Sequence, residues 1–238
     1  MMPKRFAAAA GTFAACAVFV LAGTLISSPR VQANDDDRDG DESKVQIGFE
    51  IAPVHLTLTG LNHARVGKGS YIVNAQGDCN GCHNSPDLGG EWAPGHNPYF
   101  GQPKMVNAKA YLGGGSQFGP FPGKGIGGVG PLTIYSRNLT PDVSGLPEGG
   151  HTFQDFLTIM RTGHDFDLAH PACPTLGVMG CIASPPFKAS LLQVMPWPVY
   201  ANMSDDDIRA IYEYLKAIPC ISHAGSVGLP ANVYQTCP

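Results

Sequence analysis

The sequence Cys79-Asn80-Gly81-Cys82-His83 constrains the architecture of this 238-residue chain more than any other segment. Two thiols one helical turn apart can form thioethers with the vinyl groups of a porphyrin, while the adjacent imidazole reaches the iron. The motif therefore predicts one covalently bound haem c, attached through Cys79 and Cys82, with His83 as an axial iron ligand.

Zinc sites and thioredoxin-like redox sites also use closely spaced cysteines. A zinc site would need a second short-spaced ligand pair, and the other cysteine pairs, Cys173/Cys181 and Cys220/Cys237, are poor candidates. A thioredoxin-like motif would need a surrounding βαβ pattern, which this loop-rich sequence lacks, and would leave His83 without a role. Haem attachment is therefore the preferred interpretation.

The second axial ligand decides whether the iron is closed or open to small molecules. Met195 is the first candidate, because Pro196 and Pro198 hold its segment extended and a thioether can coordinate iron. Met160 and Met203 resemble packing residues. The candidates that stay open are the loop residues Met105 and Met179 and two histidines beside a predicted helix, His151 and His164.

Helical periodicity predicts three helices. The first covers residues 64–75, the second begins at a Thr152 cap and ends at Gly163, and the third begins at a Ser204 cap and ends before Pro219. Residues 45–63 partly alternate between apolar and polar and predict an extended segment. Residues 85–130 are so rich in Gly and Pro that they predict a long irregular loop.

The N-terminus has the pattern of an export signal. Lys4 and Arg5 precede an apolar run, and small residues up to Ala33 predict cleavage there, so residues 1–33 are interpreted as a signal peptide. The apolar run is also long enough for an uncleaved membrane anchor. Residues 34–44 carry six acids and predict a disordered acidic tail. Nothing in the charge pattern indicates nucleic-acid binding.

Export into an oxidising compartment predicts that the four remaining cysteines of the mature chain form disulfides. The shortest loops join Cys173 to Cys181 and Cys220 to Cys237, although four cysteines allow three connectivities. Residues 220–238 are accordingly interpreted as a disulfide-linked C-terminal tail.

With these motifs in place, residues 64–219 resemble the class I c-type cytochromes. They are most similar to the exported cytochrome c domains and subunits that partner membrane-bound dehydrogenases. The segments that carry the resemblance are CNGCH, Tyr-Ser-Arg-Asn-Leu-Thr-Pro-Asp at 135–142, Met-Arg-Thr-Gly at 160–163, Met-Pro-Trp-Pro at 195–198 and the last helix. The chain departs from the family pattern in its loop at 85–130, its insert at 165–190, its tail and its N-terminal extension.

The resemblance implies a mainly α fold, a cytochrome c-like helical domain around one haem, with Met195 as the second axial ligand. It also implies that the helix around Gly67–Tyr71 crosses the last helix near Tyr212 and Leu215. Residues 135–142 and Trp197 are then expected near the haem and its propionates.

The function that follows is single-electron transfer in the periplasm between a dehydrogenase and a downstream acceptor, an oxidase or another cytochrome, by a carrier that transforms no substrate. Two alternatives stay open. One is a haem enzyme, peroxidase-like or sulfur-oxidising, with an open sixth iron position. The other is a haem-bearing sensor or structural subunit.

Overall fold

Helices make up most of the regular structure in the computed structural model of the protein, which describes residues 35–124, 131–166, 190–223, 233 and 235–237. Within these ranges the α-helices are α1 (Asp35–Ile51), α2 (His63–Tyr71), α3 (Cys79–His83), α4 (Pro147–Gly150), α5 (Phe153–Thr162), α6 (Trp197–Tyr200) and α7 (Asp205–Ala217). A π-helical turn, Ile72–Gln76, extends α2, and 3-10 turns occur at Pro86–Leu88 and Pro98–Phe100. The mainly helical fold that the sequence predicted is confirmed.

The N-terminal caps predicted at Thr152 and Ser204 are confirmed. At α5, the Thr152 hydroxyl accepts a hydrogen bond from the Asp155 amide, and the Asp155 carboxylate accepts one from the Thr152 amide. At α7, the Ser204 hydroxyl accepts from the Asp207 amide at 3.1 Å. These bonds satisfy amide groups that an α-helix leaves without partners in its first turn.

Helix α2 crosses α7 at a glycine, as the resemblance implied, but through different neighbours. A Cβ atom at Gly69 would lie 1.9 Å from the Ala210 carbonyl oxygen and 2.8 Å from the Tyr214 Cβ. Ala210 and Tyr214 are four residues apart and therefore share one face of α7. Tyr212, which was expected at this crossing, instead packs against Phe153 and Phe156 of α5.

The N-terminal part corrects two predictions. Residues 34–44 were expected to be a disordered tail and 45–63 to be extended, whereas Asp35–Ile51 form α1. Val45, Gly48 and Phe49 lie on one face of this helix and pack closely against Gly67 of α2, and the Ser70 hydroxyl donates to the Gly48 carbonyl at 2.6 Å. Tertiary packing of Val45, Gly48 and Phe49 against α2 thus stabilises a helix whose acidic first half indicated a solvated tail.

The segment expected to be an irregular loop, 85–130, is partly ordered into a hairpin. Strand β1 (Gln117–Lys124) pairs antiparallel with β2 (Pro131–Tyr135). Register shifts interrupt the pairing on both sides of Phe121, where β1 carries prolines. A two-stranded sheet consists only of edge strands, and edge strands tolerate proline and irregular pairing. This is why Gly/Pro content alone did not exclude a sheet.

The core forms where α2, α5 and α7 meet. Its buried side chains include Val66, Ile72, Phe156, Ile208 and Leu215. In the part of the chain that the structure describes, no helix combines the length and apolar character needed to cross a bilayer. The predicted signal peptide at 1–33 lies outside the described residues, as does most of the insert at 165–190.

The C-terminal tail is tied to the rest of the domain. The predicted disulfide between Cys220 and Cys237 is present, with the two Cα atoms 5.6 Å apart. Gln235 donates to the Thr140 hydroxyl at 2.6 Å, and Asn138 donates to the Ile221 carbonyl at 2.9 Å. The tail therefore lies against the segment at 138–140. Cys173 and Cys181 lie outside the described residues.

Candidate functional site

A cavity of about 450 Å³ lies beside the core, and all four predicted site residues line it. These are Cys79, Cys82, His83 and Met195. The rest of the wall is largely apolar and includes Ile72, Val73, Phe156, Ile159, Ile211 and Leu215. The structure thus places residues that are more than a hundred positions apart in the sequence around one apolar space.

Helix α3 presents the two cysteines to this space. It follows Asp78, whose backbone is left-handed with φ of 44°, a conformation that aspartate tolerates better than most residues. Asn80, between the cysteines, is buried, and its side-chain oxygen accepts a hydrogen bond from the Leu112 amide at 2.9 Å. Because Cys79 and Cys82 are three positions apart, they lie on one side of the helix. They are not joined by a disulfide.

Both thiols are in their neutral form at physiological pH. Burial, with smaller contributions from the nearby Asp78 and Cys82, raises the pKa of Cys79 to about 12. Burial, Asp78 and Glu91 also raise the pKa of Cys82. Reactive thiols in redox and zinc sites have lowered pKa values, because those sites need the thiolate. The environment of the two cysteines therefore lacks the activated thiolate of a thioredoxin-like site.

His83 is oriented by backbone groups. Its Nδ1 atom lies 2.8 Å from the Arg137 carbonyl oxygen, and its own carbonyl accepts from the Gly114 amide at 2.7 Å. Burial lowers the pKa of His83, the Arg137 carbonyl opposes that shift, and the Arg137 guanidinium adds to it. A neutral imidazole whose Nδ1–H donates to a carbonyl keeps its Nε2 lone pair available for a metal.

Met195 is held between two tight turns. Its amide donates to the Gln193 carbonyl and its carbonyl accepts from the Trp197 amide, both at 2.8 Å. The first turn is centred on Val194, whose φ of 71° is a strained conformation for a β-branched residue. Strain of this kind costs about 1–3 kcal/mol and persists where the surrounding structure imposes it.

Other methionines also reach the cavity. Met160 and Met203, interpreted from sequence as packing residues, line the same space as Met195. Met105 is 52% exposed and does not line it. Met179 lies outside the described residues. The position of a methionine at the cavity therefore does not by itself identify a second ligand.

The two histidines considered as alternative iron ligands, His151 and His164, are not among the described residues that line the cavity. The rings of His151 and His164 contact Phe166, with centroid distances of 5.3 and 4.5 Å. Among the described residues that line the cavity, His83 is the one histidine.

Sequence reasoning missed a buried charge cluster at the cavity wall. Arg137 forms ion pairs with Glu148 and Asp165, and all three side chains are almost completely buried. Arg137 and Glu148 line the cavity, together with Tyr135 from the segment expected there. Arg137 belongs to the motif at 135–142, and neither acid carries a sequence signal, because Glu148 in α4 and Asp165 after α5 lie 17 residues apart in no recognisable motif. Trp197 packs on Gly163 and is not among the described lining residues.

A Cys-x-x-Cys-His helix at an apolar cavity, beside the crossing of α2 and α7, fits the arrangement that the resemblance to class I c-type cytochromes implied. Comparison with known proteins gives relatives that are cytochrome c subunits. The chain is 30% identical over 189 residues to the cytochrome c subunit of a quinone alcohol dehydrogenase from Gluconobacter oxydans (strain 621H). It is 29% identical over 156 residues to the gluconate 2-dehydrogenase cytochrome c subunit from Pantoea cypripedii.

These matches cover 74% and 64% of this chain but 28% and 23% of the two relatives. The chain thus matches about a quarter of the length of these relatives. No family model and no solved structure matches. The chain is thus similar to the cytochrome c subunits of membrane-bound dehydrogenases.

Proposed function

We propose that this chain is a monohaem c-type cytochrome that transfers single electrons in the periplasm between a dehydrogenase and a downstream acceptor. The observation that carries the proposal is the meeting of Cys79, Cys82, His83 and Met195 at one apolar cavity. In this proposal the cytochrome domain covers residues 64–219, and residues 1–33 direct export.

The residues at the cavity fit a haem. Cys79 and Cys82 would hold it through thioethers, and the neutral His83 ring would offer Nε2 to the iron. Met195 would supply the second ligand, and the apolar wall suits a porphyrin. When bound, the haem iron supplies one-electron exchange between Fe(III) and Fe(II).

The protein's own groups would set the conditions for that exchange. The Arg137 carbonyl fixes the orientation and tautomer of His83. The thioether of Met195 would favour the reduced iron and so raise the reduction potential, and the surrounding apolar side chains would act in the same direction by excluding water. Cys82 is exposed, so the cavity edge at α3 reaches the surface, where a partner could approach.

The partner is proposed from the relatives. Both are cytochrome c subunits of dehydrogenases, one of them a quinone enzyme. A dehydrogenase would then be the electron donor, and an oxidase or another cytochrome the acceptor.

The test is the visible spectrum of the reduced protein before and after carbon monoxide, which binds an open or weakly held sixth position. We expect c-type haem bands that carbon monoxide leaves unchanged, since two protein ligands would close the iron. A clear shift in the wild-type protein would contradict the proposal and favour a haem enzyme or a sensor.

Two variants of the cavity then identify the ligand. Met195→Leu should open the iron to carbon monoxide and lower the reduction potential, within the ~0.8 V range that axial ligands span. Met203→Leu, a matched change at another cavity-lining methionine, should leave both unchanged. If Met203→Leu gave the effects and Met195→Leu did not, the assignment of Met195 would be wrong.

A further inference from the structure

Residues 192–197, here called the methionine loop because Met195 lies in it, are paired at their start with the end of α5. The Leu192 amide donates to the Gly163 carbonyl at 2.7 Å, and the Asp165 amide donates to the Ser190 carbonyl at 3.0 Å. A β-bridge between these two hydrogen bonds completes a short antiparallel ladder. The chain therefore enters the methionine loop at a position that the end of α5 fixes.

The other end of the methionine loop is held by the same glycine. A Cβ atom at Gly163 would lie 2.5 Å from the Trp197 Cδ2 atom and closer still to two other indole atoms. The Trp197 Nε1–H group donates to the Leu192 carbonyl at 3.3 Å, which joins the two ends of the loop. Gly163 also ends α5 with φ of 67°, a conformation that favours glycine. A side chain at this position would thus displace Trp197.

Arg161 holds the chain that follows the methionine loop. Its guanidinium donates to the Ala201 carbonyl, directly after α6, and pairs with Asp205 at the start of α7. Because the Asp205 side chain is 74% exposed, this ion pair contributes little, and the bond to the carbonyl is the more important contact. The segments Met-Arg-Thr-Gly and Met-Pro-Trp-Pro, which are separate motifs in the sequence, meet here.

The methionine loop is short and strained between its two anchors. Four residues, 193–196, separate Leu192 from Trp197, and among them Val194 has φ of 71°. A β-branched residue adopts this conformation only where the surrounding structure imposes it. The position of the Met195 side chain is therefore set by the anchors at Gly163 and not by the preference of the loop itself.

We propose that Gly163 and Trp197 are positioning residues for the second iron ligand, and that they keep the iron closed to external ligands by anchoring the methionine loop. This proposal rests on the proposed function, in which Met195 coordinates the iron. A thioether on an anchored loop loses little freedom when it binds, whereas a released loop must be ordered each time. Contacts that orient a metal ligand typically change metal affinity ~10–100-fold when they are removed.

The test is a titration of the oxidised, haem-loaded, full-length protein with imidazole, which competes with the thioether for the iron and changes the visible spectrum. Gly163→Ala should lower the half-saturating imidazole concentration ~10–100-fold and lower the reduction potential, because the sixth position is open more of the time. Trp197→Phe keeps a ring beside Gly163 and removes the Nε1–H donor. It should lower that concentration ~2–10-fold, the equivalent of one hydrogen bond.

Gly101→Ala is the matched control for Gly163→Ala. Gly101 also ends a helical turn with a positive φ, 72°, but no described atom lies within 4 Å of the position of its Cβ. It therefore introduces similar backbone strain without a displaced indole, and imidazole binding should match the wild type. Urea denaturation of the same samples measures stability, which a merely structural role would lower without changing the imidazole titration.

Wild-type imidazole binding in both Gly163→Ala and Trp197→Phe would overturn the proposal, provided that Met195→Leu opens the iron, and the proposed function would then stand. If Met195→Leu also left imidazole binding unchanged, the assignment of Met195 would be wrong and this proposal would fail with it. An equal effect of Gly101→Ala would attribute the change to backbone strain and overturn the role of Gly163. If Gly163→Ala does not fold, Trp197→Phe decides.

Discussion

Tyr111, Tyr214 and Asn74 meet behind the cavity in a buried hydrogen-bonded cluster. The two phenol oxygens are 2.8 Å apart, and the Tyr111 hydroxyl donates to the Asn74 side-chain oxygen at 2.6 Å. Tyr214 belongs to α7 and Asn74 to the turn that extends α2, so the cluster ties the helix crossing to the loop at 111.

We expect Tyr111→Phe to lower the free energy of unfolding by about 1–3 kcal/mol, because it removes a hydrogen-bond partner from the buried Tyr214 hydroxyl and from the partly buried Asn74 oxygen. Urea denaturation followed by circular dichroism measures the change. Tyr99→Phe removes the same hydroxyl from a side chain that is 83% exposed and should change stability by less than about 0.5 kcal/mol. Equal effects would show that the cluster contributes nothing specific.

Single residues of the candidate site were predictable to different degrees. Cys79, Cys82 and His83 are recognisable because attachment of a porphyrin demands a fixed local spacing. Met195 depends on a resemblance, since several methionines occupy similar contexts and two others also reach the cavity. Arg137, Glu148 and Asp165 could not be predicted as a cluster, because only the folded chain brings these charges together.

Among the elements, α5 and α7 were predictable because their caps and apolar stripes are local properties of the sequence. Helix α1 was not, because its stabilising partner is Gly67 of α2, a contact that the periodicity of α1 alone does not show. The hairpin of β1 and β2 was missed for a related reason. Its pairing is irregular, and its composition is typical of a loop.

The crossing of α2 and α7 gives a prediction at the scale of the element. Gly69→Ala places a Cβ 1.9 Å from the Ala210 carbonyl oxygen, so the helices must separate, and we expect a loss of about 1–3 kcal/mol or more in unfolding free energy. Thermal denaturation followed at 222 nm measures it.

Gly40→Ala in α1 is the control for that substitution. No atom lies within 4 Å of the position of its Cβ, so the change should be neutral or stabilising by up to about 1 kcal/mol through helix propensity. If Gly69→Ala were equally well tolerated, the close approach of α2 and α7 would be wrong.

For the whole molecule, the C-terminal tail acts as a cross-link between distant parts of the chain. The disulfide closes a separation of 17 residues, and Gln235 and Asn138 join the tail to the segment that precedes α4. Leu139, in that segment, lines the cavity. The tail therefore supports the cavity wall from outside.

We expect Cys220→Ser/Cys237→Ser to lower the free energy of unfolding by about 3 kcal/mol, chiefly because the unfolded chain gains freedom. Equilibrium unfolding in urea measures the loss. Reducing agent should destabilise the wild-type protein by at least that amount. A double variant as stable as the wild type would contradict a supporting role for the tail.

The sequence by itself determined that α3 carries a haem-attachment motif, and it determined the caps and apolar faces of α5 and α7. It also gave the pairing of Cys220 with Cys237 as one of three possible connectivities. Each of these depends on groups that are close along the chain. Only the tertiary structure decided that α1 is a helix, that α2 meets α7 through Gly69, and that Arg137 meets Glu148 and Asp165 in a buried cluster at the cavity wall. Those features depend on contacts between distant segments, whose free energy arises only when the chain is folded.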